Sequence, residues 1–249
     1  MKMNPWVCFI IGLSIARVGV AADTVIAVAA NFTAAGDEIV TRFERATGHR
    51  IKVSYGSTGK LYSQIDNGAP FDVFLAADQA HPARAEAEGL AVTGTRFTYA
   101  RGYLVLWSAY DKLFDNGKIY LQRAEISRLA IANPLTSPYG QAAREVMEEL
   151  GVWAALQPRL VRGDSIAQTF QFVATRNAPA GFVALSQIRA WTGKDGTLWN
   201  IPQHYYTPMA QQAVLLKHGK DNPAAKAFLD FLRGVEARAV ITRYGYTTE

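Results

Sequence analysis

The chain has 249 residues, of which 49% are hydrophobic and 19% charged, a composition typical of a globular protein of one or two domains with ample core. The formal net charge is +5 at pH 7, but the basic residues are scattered and form no aromatic-and-basic stripe, so nucleic-acid binding is not expected. The single cysteine, Cys8, excludes intrachain disulfides and cysteine-ligated metal sites.

Residues 1–22 have the parts of a secretory signal peptide. Lys2 begins a short polar start, residues 6–15 form an apolar run, and small residues precede Asp23. The apolar run is too short to span a membrane. We therefore predict a signal peptide over these residues and a secreted mature chain that has lost Cys8 with its leader.

Residues 51–78 are the stretch around which the chain is organised. Alternating apolar residues over 51–55 predict a half-buried strand, and the continuous apolar run 71–75 predicts a more buried one. Between them, Ser57 and Thr58 stand where a short helix begins, and either side chain can cap it. The N–H groups of the first turn and the positive end of the helix dipole make an anion site that needs no formal charge.

The same order of strand, turn and helix recurs along the chain. Further strands are predicted over 24–30, 103–108, 129–132, 159–161, 181–185 and 214–217, and helices follow most of them. This alternation predicts mostly parallel sheets with helices on both faces, and in such sheets ligands bind at the carboxyl ends of the strands. Capping residues stand at four of these joints: Asn31, Ser57 with Thr58, residues 138–140 and residues 164–166.

Two polar, aromatic segments, 93–101 and 203–208, are predicted to be paired crossings between two lobes. The first lobe then comprises residues 23–98 and 207–249, and the second lobe residues 99–206. The predicted fold class is α/β with two lobes, each a mostly parallel sheet flanked by helices, and a ligand cleft between them.

Several short motifs, distributed over essentially the whole mature chain, carry a resemblance to a known family. They are AANF (29–32), GSTG (56–59), NGAP (67–70), AAD (76–78), RFTYA (96–100), ANP (132–134), PYG (138–140), GFVA (181–184) and RYG (243–245). These motifs resemble the periplasmic molybdate-binding proteins of ABC importers. The resemblance implies the type II periplasmic-binding-protein fold and a bare tetrahedral dianion, molybdate or tungstate, held between the lobes by uncharged hydroxyls and backbone amides.

The resemblance also implies the binding residues and the partners. The donors would be the Ala30 backbone, Asn31, Ser57 and Thr58 from the first lobe, with Tyr139 and the backbone N–H of Ile166 from the second. Some members have a hydroxyl residue where Ala30 stands, and others have a tyrosine where Ala184 stands, so the Tyr139 phenol is expected to substitute for that tyrosine. We further expect a periplasmic monomer with no cofactor that delivers its anion to an ABC transporter membrane permease.

Plainer interpretations stay open at this point. Asn31 and the Ser57–Thr58 pair are also suited to ordinary helix caps, and Tyr139 to a packing role. A receptor of the same fold for sulfate, ferric ion or an organic acid is one rival, and a secreted α/β hydrolase built on Ser57 or Asp78 is another. The four histidines have no metal-binding spacing and no Gly-x-Ser-x-Gly elbow occurs, so enzymatic activity is not expected.

Overall fold

The computed structural model describes residues 21–123, 125–194 and 196–248. Residues 1–20 of the predicted signal peptide therefore lie outside the described residues. Within the described ranges, ten strands form two five-stranded sheets, and no helix has both the length and the hydrophobicity needed to cross a membrane.

The strands alternate with helices for most of the chain. In chain order, the strands are β1 (Asp23–Ala29), β2 (Arg50–Gly56), β3 (Val73–Leu75), β4 (Phe97–Gly102), β5 (Leu104–Ser108), β6 (Leu129–Ala132), β7 (Leu160–Gly163), β8 (Ala180–Ala184), β9 (Thr197–Asn200) and β10 (Met209–Leu215). The α-helices are α1 (Thr33–Thr47), α2 (Thr58–Asp66), α3 (Ala80–Ala87), α4 (Gly117–Leu121), α5 (Pro138–Glu149), α6 (Trp153–Leu156), α7 (Ile166–Ala174), α8 (Leu185–Ala190), α9 (Pro223–Arg233) and α10 (Val235–Arg243). Short 3-10 helices cover Ala30–Phe32, Gln157–Arg159 and Gln203–Tyr205.

The two sheets have the same plan. The first has the order β2-β1-β3-β10-β4 and the second β7-β6-β8-β5-β9. In each sheet a single strand, β10 or β5, runs against the other four. These are the strands that enter one sheet directly after the chain has left the other. The predicted two-lobed α/β fold with mostly parallel sheets is confirmed.

Of the two predicted crossings, the structure confirms that at residues 203–208, which lie between β9 and β10, and corrects the first. Residues 97–102 form β4, an edge strand of the first sheet that pairs with β10. The polar residues that suggested a crossing are also tolerated in an edge strand, because part of such a strand faces solvent. The chain passes between the sheets at Tyr103, and again between β9 and β10. The predicted lobe boundary at 98/99 falls inside β4, and the lobe limits stay a prediction. The short edge strand β9 and the helix α10 were not predicted.

Inside the first lobe, a buried carboxylate ties three chain segments together. The Asp72 carboxylate accepts hydrogen bonds from the Thr24 hydroxyl (2.8 Å), the Val25 N–H (3.0 Å) and the Asn222 amide (3.0 Å), and lies 2.7 Å from Nδ1 of His218. Burial alone would raise the pKa of Asp72, but the hydrogen bonds from Val25, His218 and Thr24 outweigh it and hold the pKa below its usual value. The contact joins β1 to the starts of β3 and α9.

Candidate functional site

A small cavity lies between the lobes, at the carboxyl ends of β1, β2 and β3. All six predicted binding residues line it. The lining residues are Ala29, Ala30, Asn31, Gly56, Ser57, Thr58, Ala77, Ser137, Pro138, Tyr139 and Ile166. The cavity leaves about 10 Å³ for the centre of a water-sized sphere, which is room for a single small ion at most and excludes a sugar or an amino acid.

The first-lobe wall is built by two chain segments that turn directly from a strand into a helix. β1 passes into the 3-10 turn Ala30–Phe32, and β2 passes through Ser57 into α2. Within the described residues, no side chain caps the first N–H groups of α2, so the cap predicted from Ser57 or Thr58 is wrong. The Thr58 hydroxyl oxygen accepts a hydrogen bond from the Ala77 N–H at 3.0 Å, which leaves its own proton to be donated.

The Ser57 hydroxyl is the group of this wall whose hydrogen bonding says most about a ligand. The residue is buried, and Oγ has no hydrogen-bond partner in the described part of the chain. A buried polar group left unpaired costs about 1–3 kcal/mol, and such groups are rare in native proteins. The Ser57 hydroxyl therefore lies on the cavity wall with no protein partner that would compete for it in the described part of the chain.

The second-lobe wall consists of the first turns of two helices. α5 begins with Pro138 at its first position, and Ser137 before it makes no side-chain cap within the described residues. The start of α5 lies against β6 so closely that a Cβ on Gly140 would overlap the Ala132 carbonyl. At α7, Ser165 caps the helix by accepting from the Gln168 N–H, as predicted. Ser137 was missed by the sequence analysis, although its place before a first-turn proline marked it.

The electrostatics of the cavity come from backbone dipoles. The first N–H groups of a helix have no acceptor inside the helix, and the starts of α2, α5 and α7 all reach this cavity. No charged side chain occurs among the described residues that line it. Converging helix starts favour an anion through fixed dipoles and N–H donors, so the lining favours negative charge without a cationic side chain.

Asn31 uses its side chain to bind the protein. Its amide nitrogen donates to Oε1 of Gln211 (2.9 Å) and to the Tyr246 phenol (3.0 Å). Both amide protons are therefore engaged. The backbone N–H of Asn31 lies in the first turn after β1.

The Tyr139 side chain, like that of Asn31, is hydrogen-bonded to Gln211. Its phenol oxygen accepts a hydrogen bond from Nε2 of Gln211 at 3.2 Å, and a Cβ on Gly102 would overlap both of these atoms. Burial raises the pKa of the Tyr139 phenol well above its usual value, so the phenol stays neutral. The oxygen thus contacts the first lobe, and the backbone N–H of Tyr139 lies in the first turn of α5.

Behind the cavity, five residues from both lobes form a hydrogen-bonded group that we call the buried junction: Asn31, Tyr139, Ser186, Gln211 and Tyr246. Ser186 Oγ donates to the Asn31 carbonyl at 2.9 Å, and the Tyr246 phenol oxygen lies 2.7 Å from that carbonyl and 2.9 Å from Ser186 Oγ. The roles of Ser186, Gln211 and Tyr246 were not predicted. The polar pair Gln211–Gln212 inside the otherwise apolar β10 was the signal that could have found one of them.

A second interlobe contact is open to solvent, and we call it the exposed junction: Gly59, Lys60, Thr136 and Asp164. The Gly59 N–H donates to the Thr136 carbonyl at 2.9 Å, and Lys60 Nζ lies 3.0 Å from the Asp164 carboxylate. A Cβ on Gly59 would approach Thr136 to 3.1 Å, so this position favours the smallest residue. The two junctions hold the lobes closed around the cavity.

Three observations on the described residues bear on the rival functions. A larger groove of about 500 Å³ adjoins the cavity at Ser137 and Pro138, but the carboxylates of Asp78 and Glu145 line it, which disfavours a dianion. No group of three or more His, Cys, Asp or Glu able to hold a metal ion occurs among the described residues. In the same residues, the Ser57 hydroxyl contacts no histidine that could activate it as a nucleophile.

Two α/β lobes closed over an ion-sized cavity of uncharged donors define a receptor for a small anionic solute. The family model of the bacterial extracellular solute-binding proteins matches residues 24–247. The chain belongs to the bacterial extracellular solute-binding protein family.

Relatives with known names agree with this membership. The molybdate-binding protein ModA of Azotobacter vinelandii is 52% identical over 231 residues, covering 91% of this chain and 90% of the relative. ModA of Rhodobacter capsulatus is 48% identical over 238 residues, covering 95% and 93%. The solved structure of the A. vinelandii periplasmic molybdate-binding protein has a TM-score of 0.87 at 38% identity, covering 91% of this chain and 99% of that one. The predicted resemblance to the molybdate-binding proteins is confirmed.

Proposed function

We propose that this protein binds molybdate in the periplasm and delivers it to the membrane permease of an ABC importer. The observation that carries the proposal is the cavity itself: the six residues predicted from sequence line a single ion-sized space of uncharged donors. The names of the relatives support molybdate as the anion. Their high sequence identity over nearly the whole chain supports the same function for this protein.

The donors follow from which protons the protein does not already use. The hydroxyl protons of Ser57, Thr58, Ser137 and Tyr139 and the first-turn N–H groups at the helix starts remain for the anion. The proposed donor set is these four hydroxyls with the backbone N–H groups of Ala30, Asn31, Tyr139 and Ile166. The Tyr139 phenol keeps its contact with Gln211 in this arrangement.

A cage of neutral donors selects its anion by size and protonation. A buried dianion needs every oxygen hydrogen-bonded, because its desolvation is otherwise very costly. A smaller tetrahedral anion such as sulfate would leave some donors unpaired, at about 1–3 kcal/mol each. Phosphate carries a proton near neutral pH and would bring an O–H for which the cavity lining offers no carboxylate.

The same reasoning extends to the other properties of the receptor. Tungstate has the shape and charge of molybdate and is proposed as a second ligand. We propose a monomer without a resident cofactor or enzymatic activity, whose lobes close because only the closed form joins both sets of donors. Closure then presents the loaded protein to the permease.

The proposal is tested by calorimetric titration of the mature protein with molybdate, tungstate, sulfate and phosphate. We expect tight binding of the first two and at least about 100-fold weaker binding of sulfate, which corresponds to one or two unpaired donors. Ser57→Ala should weaken molybdate binding, whereas Ser63→Ala, an exposed serine on the same helix, should not. Tightest binding of sulfate or phosphate, or no binding of any of the four anions, would overturn the proposal.

A further inference from the structure

Gln211 is a fully buried polar residue that contacts both lobes. Its exposed fraction is 0%, which is unusual for glutamine. Oε1 accepts hydrogen bonds from the Asn31 amide (2.9 Å) and the Tyr99 phenol (3.1 Å), and Nε2 donates to the Tyr139 phenol (3.2 Å). The carboxamide therefore links the turn after β1 in the first lobe to the start of α5 in the second.

The orientation of this carboxamide is fixed by its partners. Because Oε1 already accepts two protons, Nε2 must be the atom that faces Tyr139. Gly102 provides the space, since a Cβ there would overlap both Nε2 of Gln211 and the Tyr139 phenol oxygen. Asn31 and Tyr139 both line the anion cavity, whereas Gln211 does not. One carboxamide thus holds two of the cavity walls at a set separation.

The next residue provides a natural comparison. The pairing of β10 with β4 shifts register between Gln211 and Gln212. Oε1 of Gln212 accepts from Arg96 (2.7 Å), and its Nε2 donates to Thr98 (3.2 Å). All of these partners belong to the first lobe. Two adjacent, buried glutamines on one strand therefore differ in whether they reach across the cleft.

We propose that Gln211 is a positioning residue that sets the spacing between the first-lobe and second-lobe donors of the anion cavity without touching the anion. The inference deepens the proposed function and rests on it. Gln211 acts through the Asn31 and Tyr139 side chains, which place the backbone N–H groups of the same two residues on opposite walls. Changing Gln211 should therefore alter anion affinity while the fold persists.

Gln211→Glu gives this role a distinctive signature, because the shape is kept while one donor becomes a titrating carboxyl. The groups that face the carboxamide are the Asn31 amide and the phenols of Tyr99 and Tyr139, all uncharged, and Tyr99 in turn feels the Asp78 carboxylate. A buried carboxylate behind a bound dianion is unfavourable. The variant should therefore take up a proton when it binds, and its affinity should fall by up to about tenfold per pH unit as pH rises.

The experiment compares molybdate affinity of the wild type, Gln211→Glu, Gln211→Met and Gln212→Glu between pH 6.5 and 8.5. The wild type in the same buffers corrects for protonation of the anion. We expect Gln211→Glu to bind at least about tenfold more weakly than the wild type at pH 8.5 and to recover towards pH 6.5. Gln211→Met should bind more weakly without a pH slope, and Gln212→Glu should match the wild type. Thermal unfolding of each variant checks the fold.

Several results would overturn the inference. They are wild-type affinity in both Gln211 variants, an equal loss in Gln212→Glu, a Gln211→Glu affinity that does not depend on pH, or failure of both Gln211 variants to fold, which would assign the residue to stability alone. The wild-type titrations separate this inference from the proposed function. If the wild type binds no anion of the panel, the proposed function fails. If it binds and the Gln211 variants match it, only the positioning role fails.

Discussion

The buried and exposed junctions connect the same two lobes with different chemistry. The buried junction uses neutral hydroxyl, amide and carbonyl groups, and Asn31 and Ser186 in it are almost fully enclosed. In the exposed junction, the Lys60 and Asp164 side chains keep 45% and 75% of their surface in solvent. Hydrogen bonds are worth more where water cannot replace them, whereas an exposed ion pair contributes little and is screened by salt.

The contrast indicates where the closed state gets its stability. Opening the cleft would break the bond from Ser186 to the Asn31 carbonyl and the bond from Gln211 to Tyr139. The polar atoms separated by opening would then need water as their hydrogen-bond partner. Opening the exposed junction returns Lys60 and Asp164 to solvent at little cost. We therefore expect anion affinity to depend on the buried junction and to be nearly indifferent to the exposed ion pair.

The largest effect should come from Ser57→Ala, which changes a donor to the anion and neither junction. Loss of one hydrogen bond to the anion should weaken molybdate binding by about 5- to 150-fold, equivalent to about 1–3 kcal/mol. The ligand-free protein should be as stable as the wild type or more so, because the unpaired hydroxyl disappears. Calorimetry and thermal unfolding measure the two effects; an unchanged affinity would remove Ser57 from the donor set.

The next effect should come from Ser186→Ala, which tests the buried junction directly. The variant loses the bond to the Asn31 carbonyl and the contact with the Tyr246 phenol, so we expect molybdate affinity to fall by about three- to tenfold, mostly through faster release. Ser108→Ala is the matched control, since Ser108 is buried and bonds the Pro179 carbonyl within the second lobe. Equal affinity losses in Ser186→Ala and Ser108→Ala would contradict the dependence of affinity on the buried junction.

A smaller effect is expected from Lys60→Ala, which removes the ion pair of the exposed junction. Affinity should fall by less than about threefold at low salt, and the difference should vanish at about 1 M salt. Arg42→Ala serves as the control, because Arg42 pairs with Glu38 inside α1. A loss in Lys60→Ala larger than that in Ser186→Ala would reverse the proposed ranking of the junctions.

No effect on affinity is expected from Asp72→Asn, which changes a contact inside one lobe. The lowered pKa of Asp72 means that its contribution to folding stability is present above the unfolded-state pKa and is lost as pH falls through the folded-state value. Urea unfolding should therefore show the variant less stable than the wild type at pH 7, with a difference that shrinks below about pH 4. A difference that grows on acidification would contradict this assignment.

Much of the fold could be predicted from sequence because it depends on local signals, whereas the six cavity residues were predicted from the family resemblance. The buried strand β6 occupies the predicted residues 129–132, since a continuous apolar run between turns has few other interpretations. Edge strand β4 was missed because polar residues interrupt its apolar pattern, and β9 because it has only four residues. The start of β10 was missed because Gln211 and Gln212 interrupt its apolar pattern.

The roles of the site residues were harder to predict than their positions. Asn31 and Tyr139 lie where expected, but their side chains bond to Gln211, which is 180 and 72 residues away in the chain. Nothing local to either residue specifies such a partner. Ser57 illustrates the reverse case: its sequence context is that of a helix cap, and only the packed structure leaves its hydroxyl without a partner in the described residues.

The central claim is that uncharged donors from both lobes make a cavity matched to a large tetrahedral dianion. The most direct measurement is a competition titration in which sulfate is added to the molybdate-loaded wild-type protein. We predict that sulfate at 100-fold excess leaves most of the molybdate bound, because the smaller anion leaves donors of the closed cavity unpaired. Displacement of molybdate by an equal concentration of sulfate would contradict the claim.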